Sequence, residues 1–116
     1  MKNQLLLPLI FAFLCISVSS QTKDEAIFIE KNKIELATTP SESVIKIAKS
    51  FLETPYVAST LEINENEQLV CNLSELDCFT FDENVLALYL TKKKNSNSYK
   101  DFQDILIQLR YRNNKI

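Results

Sequence analysis

The sequence predicts a mainly helical domain carrying one β-hairpin, and three observations lead there. Apolar residues recur at helical spacing in Val44, Ile47, Ala48, Phe51 and Leu52, and again in Phe102, Ile105, Leu106 and Leu109. Two β-prone stretches, 56–63 and 68–73, flank the polar connection Asn64-Glu65-Asn66-Glu67, as in a hairpin. The chain has no glycine, where average usage of roughly 7% would supply about eight. Turns that need a positive φ therefore fall to other residues. Either Asn64, Asn66, Asn95, Asn97, Asn113 and Asn114 take that role, or much of the domain is missing.

The first twenty residues read as a targeting segment. Met1-Lys2 precedes an apolar run from Leu5 to Val18, and Val18-Ser19-Ser20 supplies small residues before Gln21. That is the pattern of a cleaved secretory signal peptide. The run is shorter than the ~20 apolar residues of a membrane-spanning helix, and Leu14 is bulky for a lipoprotein anchor at Cys15. The expected organisation is a signal peptide over 1–20 and one domain over 21–116, with no stable membrane anchor after cleavage. Export, periplasmic or secreted, follows.

Within 21–116 the elements are justified in turn. Thr22-Lys23-Asp24-Glu25 opens a helix expected to run to about Leu36. Thr38-Thr39-Pro40 breaks it, and a second helix spans Ser41 to Leu52. Thr54-Pro55 ends that helix, because the residue before proline avoids the α region. After the hairpin, a third helix starts at Cys78 and reaches about Leu90, with Val85, Leu86 and Tyr89 as its apolar stripe. Residues 92–98 form a solvated loop, and a last helix covers Tyr99 to Arg110.

Charge narrows the function classes. Loss of Lys2 with the signal leaves 12 basic against 15 acidic residues, a net charge of −3. That balance gives no electrostatic reason to bind nucleic acid or anionic membranes. No histidine is present, Cys71 and Cys78 lack ligand spacing, and no calcium-loop pattern occurs. Neither a metal nor another cofactor is expected. One cysteine pair in an oxidising compartment is no disulfide framework; Cys71, in an apolar stretch, reads as a core thiol.

The most informative stretch is Cys78 at a helix start. The positive end of the helix dipole favours thiolate over thiol there, as in cysteine hydrolases. The bland alternative is a buried core cysteine, and Tyr56 is by default a half-buried aromatic. The surrounding motif shifts both. Thr54-Pro55-Tyr56-Val57-Ala58-Ser59-Thr60-Leu61-Glu62, then Leu69-Val70-Cys71-Asn72-Leu73, then Leu76-Asp77-Cys78, resembles a bacterial branch of the NlpC-type cysteine peptidases. That branch is the N-acetylmuramoyl-L-alanine amidase-like family. The resemblance covers roughly Ser43 to Arg112 and includes the tail Ile107-Gln108-Leu109-Arg110-Tyr111-Arg112-Asn113.

The resemblance implies an exported hydrolase with a papain-like α+β core. Its substrates would be peptidoglycan fragments (muropeptides), cut between muramic acid and the stem peptide. It implies Cys78 as nucleophile, Tyr56 as the Pro-Tyr tyrosine that helps polarise the substrate carbonyl, and Asp77 as cap of the nucleophile helix. It also implies a histidine, from a sheet following that helix, to activate the thiol and protonate the leaving amine. No residue of this chain supplies it. The chain is therefore expected to be the N-terminal portion of such a domain, without the C-terminal sheet, and inactive as it stands. The alternative is a non-catalytic decayed relative, or a small exported helical module that at most binds wall fragments.

Two departures from the family pattern carry expectations of their own. Glu53 and Ser59 stand where the family has glycines, so the turns near the site are expected to differ. Asp82 replaces an apolar residue four positions after Cys78. A carboxylate on that face opposes thiolate formation, and its burial without a partner would be costly.

Overall fold

The computed structural model describes residues 21–116; the segment read as a signal peptide lies outside them. Helix α1 spans Lys23–Asn32. Thr22 caps it as expected, its hydroxyl accepting from the Glu25 N–H at 3.1 Å. The helix stops four residues short of Leu36. The Lys33 and Ile34 N–H groups turn back onto the Glu30 and Lys31 carbonyls, which lets Ile34 pack against the core.

Helix α2 spans Pro40–Lys49, opened by Thr39, whose hydroxyl accepts from the Glu42 N–H. Proline suits the first helical position because its missing N–H would be unpaired there anyway. After Lys49 the Ser50, Phe51 and Leu52 N–H groups bond three residues back in a tighter turn. That turn keeps Phe51 buried and rotates Leu52 into solvent. The expectation of a buried Leu52 is corrected accordingly.

The expected hairpin does not form, and no β-strand occurs among the described residues. Ser59 takes a positive φ of 62°, and the Glu62 N–H bonds the Ser59 carbonyl, so 56–63 turns instead of extending. Residues 68–73 do run between the helices, but their backbone partners are side chains. The Leu73 N–H donates to Asp24 Oδ1 at 2.8 Å, and the Val70 carbonyl accepts from Arg110 at 2.6 Å. The Gln68 and Asn72 carbonyls accept from the Tyr111 hydroxyl and the Asn84 amide. What remains of β pairing is one parallel bridge, Tyr56 to Leu76.

Helix α3 spans Cys78–Lys93 and helix α4 spans Tyr99–Arg110, the latter with the expected bounds. α3 packs against α2, α4 and α1 together, so it is buried on several sides. Val85, Ala87, Leu88 and Thr91 are all enclosed, while Leu86, expected in the buried stripe, is exposed. A helix enclosed on several sides lacks one apolar stripe for periodicity to reveal. In α4 the expected Phe102, Ile105 and Leu106 are buried, but Leu109 is exposed.

Lys92 and Lys93 belong to α3, not to a solvated loop. The Lys92 ammonium donates to the Asn32 carbonyl at 2.7 Å. Partial burial lowers its pKa, with Lys46 adding to the effect and Glu35 opposing it. α3 ends in a Schellman motif: the Asn95 N–H bonds Lys92 O and the Ser96 N–H bonds Thr91 O. Asn95, at φ 55°, does the work of the usual glycine. Asn113 and Asn114 also take positive φ, whereas Asn64, Asn66 and Asn97 do not. A short 3-10 turn, Arg112–Asn114, closes the element order. The core gathers Phe28, Ile47, Phe51, Leu73, Leu76, Val85, Leu88, Phe102, Ile105 and Leu106. Its centre is the Phe28–Phe102 stack, with ring centroids 5.2 Å apart.

Candidate active site at the start of the third helix

The site begins with a cap. Asp77 precedes α3 in extended conformation, and its Oδ1 accepts from the Thr80 N–H at 2.8 Å and the Thr80 hydroxyl at 3.0 Å. The Asp77 N–H donates to Thr80 Oγ1 at 2.9 Å, which closes a reciprocal capping box. The hydrogen bond from the Thr80 backbone holds the Asp77 carboxyl below the usual carboxylate range, with the Thr80 hydroxyl and the Phe79 N–H adding to it. Cys78 is then the first helical residue, and it is exposed. Its thiol stands at the end where a helix leaves N–H groups without intrahelical partners.

Tyr56 reaches this point through backbone pairing. The Leu76 N–H donates to the Pro55 carbonyl and the Val57 N–H donates to the Leu76 carbonyl, both at 3.1 Å. These two bonds tie the Pro-Tyr segment to the residues just ahead of Cys78. Tyr56 is 71% exposed, and with Cys78 and Asp77 it lines a cavity of about 220 Å³. The three residues singled out from the sequence are thus brought together. The remaining walls are Phe51, Thr54, Leu76 and Phe81, none of which the sequence had marked as site residues. Phe51 and Phe81 meet edge to face, centroids 6.2 Å apart at 90°.

Behind the cavity lies a polar framework that fixes α3 against the segment leading to it. The Arg110 Nε donates to both Glu83 oxygens, at 3.1 and 3.3 Å, and its other arm holds the Val70 carbonyl. Both side chains of this pair are nearly fully enclosed, 7% and 8% exposed. The Asn84 amide donates to the Thr80 carbonyl at 2.8 Å, one turn back along α3. Asn72 folds its side chain onto the Ser74 and Glu75 N–H groups, shaping the turn before Leu76. Of Glu83, Asn84 and Arg110, only Arg110 lies inside a quoted motif run, the tail 107–113; Glu83 and Asn84 follow Cys78 along α3 and carry no sequence signal of their own.

One expectation is revised here: Asp82 is exposed, so it carries no cost of a buried charge. Cys71 is half-buried and packs against the core, as a core thiol should, away from the cavity lining. Burial pushes its thiol pKa up, with Asp24 adding to the rise, while the Tyr99 hydroxyl and Arg110 work against it. A larger groove of about 490 Å³ lies on the far side, lined by Asn32, Lys33, Glu35, Lys92 and Asn95 among others. It holds no thiol, and its Lys92 ammonium is committed to the Asn32 carbonyl, so cysteine chemistry points to the smaller cavity.

Neither the curated proteins nor the solved structures contain a match to this sequence. A family model described as AmiA-like, N-acetylmuramoyl-L-alanine amidase-like, matches residues 46–116. That span holds the capping box, the Tyr56–Leu76 bridge, every residue lining the cavity and the Glu83–Arg110 pair, and the chain belongs to this amidase-like family.

Proposed function

We propose that the chain carries the nucleophile half of an exported cysteine amidase that acts on peptidoglycan fragments, at the amide between muramic acid and the stem peptide. Cys78 is the nucleophile, Tyr56 donates to the substrate carbonyl, and Asp77 fixes the start of the helix that presents the thiol. The observation that supports this best is the convergence of Cys78 and Tyr56 on one small cavity, tied by the Tyr56–Leu76 bridge. Family membership supports the substrate class. The Lys2-led apolar run ending in Val18-Ser19-Ser20 supports export, to the periplasm or beyond.

In this scheme the Cys78 sulfur attacks the amide carbonyl, the carbonyl oxygen gains charge beside Tyr56, and the amine leaves once protonated. The proton donor is the difficulty. A histidine normally serves, and the 116 residues contain none. The chain alone is therefore inactive in this reading. The absence of histidine and glycine favours the second reading, a non-catalytic relative that binds wall fragments.

Chemical rescue separates the two. The purified chain, given a muropeptide, should release no stem peptide in plain buffer. With added imidazole as acid and base, slow release should appear and vanish in Cys78→Ala. Release that persists in Cys78→Ala overturns the assignment of the nucleophile. Muropeptide binding with no imidazole-dependent release supports the non-catalytic reading.

A further inference from the structure

We propose that the cavity beside Cys78 is an acyl-side pocket that accepts a short, uncharged, apolar substituent on the carbonyl carbon under attack. This deepens the reading of Cys78 as nucleophile and rests on it. The cavity measures about 220 Å³, and its walls are mostly the hydrocarbon of Phe51, Leu76 and Phe81. The edge-to-face contact of the two phenylalanines gives those walls a fixed shape. The hydrogen-bonding side chains of the lining are few: the Thr54 and Tyr56 hydroxyls, the Asp77 carboxylate and the Cys78 thiol. A sugar ring placed inside would leave most of its own hydroxyls without partners.

Charge sharpens the selection. The lining contains one carboxyl group, Asp77, and no cationic side chain. Lys31, whose ammonium lies 4.6 Å from the Phe51 ring centre, is already committed as a donor to the Ser50 carbonyl. An anionic substituent would meet the Asp77 carboxylate with no cationic side chain in the lining to pair with. A methyl or short alkyl group meets only apolar surface. The substrate's sugar and charged stem peptide therefore stay outside, and only the small group beside the scissile carbonyl enters.

Activated esters test this without a histidine, because their leaving group needs no protonation. The Cys78 thiolate attacks the ester carbonyl, a sulfur–carbon bond forms, and the carbon–oxygen bond to p-nitrophenolate breaks. The nitrophenolate leaves with the electron pair, and the thiol proton passes to buffer. The purified 116-residue chain is treated with p-nitrophenyl acetate, propanoate, butanoate and hydrogen succinate, with N-acetylcysteine as the free-thiol reference. The acylated residue is identified by mass spectrometry, with Cys78→Ala as the blank.

Relative to the free thiol, Cys78 should gain about tenfold from acetate to butanoate, the size of discrimination an apolar pocket gives. Succinate should fall about tenfold below butanoate through the uncompensated negative charge. Thr54→Lys, at the cavity wall, should raise the succinate rate several-fold. If Cys78 outpaces the free thiol yet treats all four esters alike, the pocket proposal fails and the nucleophile stands. An unchanged succinate rate in Thr54→Lys also counts against the pocket. If Cys78 is no faster than the free thiol toward any ester, the nucleophile reading fails and takes the pocket with it.

Discussion

Ser59 and Asp77 show what single residues contribute beside the site. Ser59 sits in the left-handed region at φ 62°, three positions after Tyr56, where the family resemblance implies glycine. A side chain there costs about 1–2 kcal/mol relative to the right-handed region, while glycine adds freedom to the unfolded chain. Ser59→Gly should therefore raise stability by about 0.5–1 kcal/mol in denaturant titration, and a loss of stability would show that the serine makes a compensating contact. Asp77 is the opposite case, a residue already suited to its place. Asp77→Ala should cost about 1 kcal/mol through loss of the cap, and Asp77→Asn should recover most of it, since an amide oxygen accepts the same Thr80 N–H bond.

The elements were legible where one face alone had to be buried. α2 and α4 each lie against the core on one side, so their spacing pointed to Ile47, Phe102, Ile105 and Leu106, all of them buried. α3 hid its burial pattern because neighbours cover it on several sides. The hairpin failed for a different reason. The Gln68, Val70 and Asn72 carbonyls and the Leu73 N–H pair with Tyr111, Arg110, Asn84 and Asp24, partners up to 49 positions away. No local pattern announces a backbone paired to distant side chains. Likewise Cys78, Asp77 and Tyr56 were readable from their motif, and Thr54 stands near Tyr56 in it, but Phe51 comes to the cavity from the turn after α2 through tertiary packing.

The element-scale test is the Glu83–Arg110 pair joining α3 to α4. With both side chains enclosed, removing one partner leaves a charge unpaired in a poorly solvated setting. Glu83→Ala and Arg110→Ala should each cost about 3–5 kcal/mol. Replacing both with apolar residues of similar size, Glu83→Leu with Arg110→Met, should cost clearly less than the sum. The residual cost reflects the Val70 carbonyl, which loses its donor. Additive losses in urea titrations would mean that the pair is not coupled and that packing alone holds these helices together.

Across the whole molecule, the titratable groups define a plateau of stability with two edges. No histidine is present, so no side chain of ordinary pKa titrates between about pH 5 and 8. On the acid side, Asp77 has a lowered folded pKa because Thr80 hydrogen-bonds its ionised form. Its contribution is present above the ordinary aspartate value, about pH 4, and is lost as pH falls through the lowered one. On the alkaline side, Cys71 and Tyr99 have raised folded pKa values, burial being the largest cause for both. Their contribution is present below their unfolded pKa values, about 8.5 and 10, and is lost as pH climbs toward the raised folded ones. Lys92, lowered by burial, works in the opposite sense only as pH nears lysine's own range. Melting temperature should therefore be level from about pH 5 to 8 and fall on both sides. Cys71→Ala should move the onset of the alkaline fall upward, from the thiol's range to that of Tyr99. A step near pH 6.5 would count against this account, because no side chain of this histidine-free chain titrates there at its ordinary pKa.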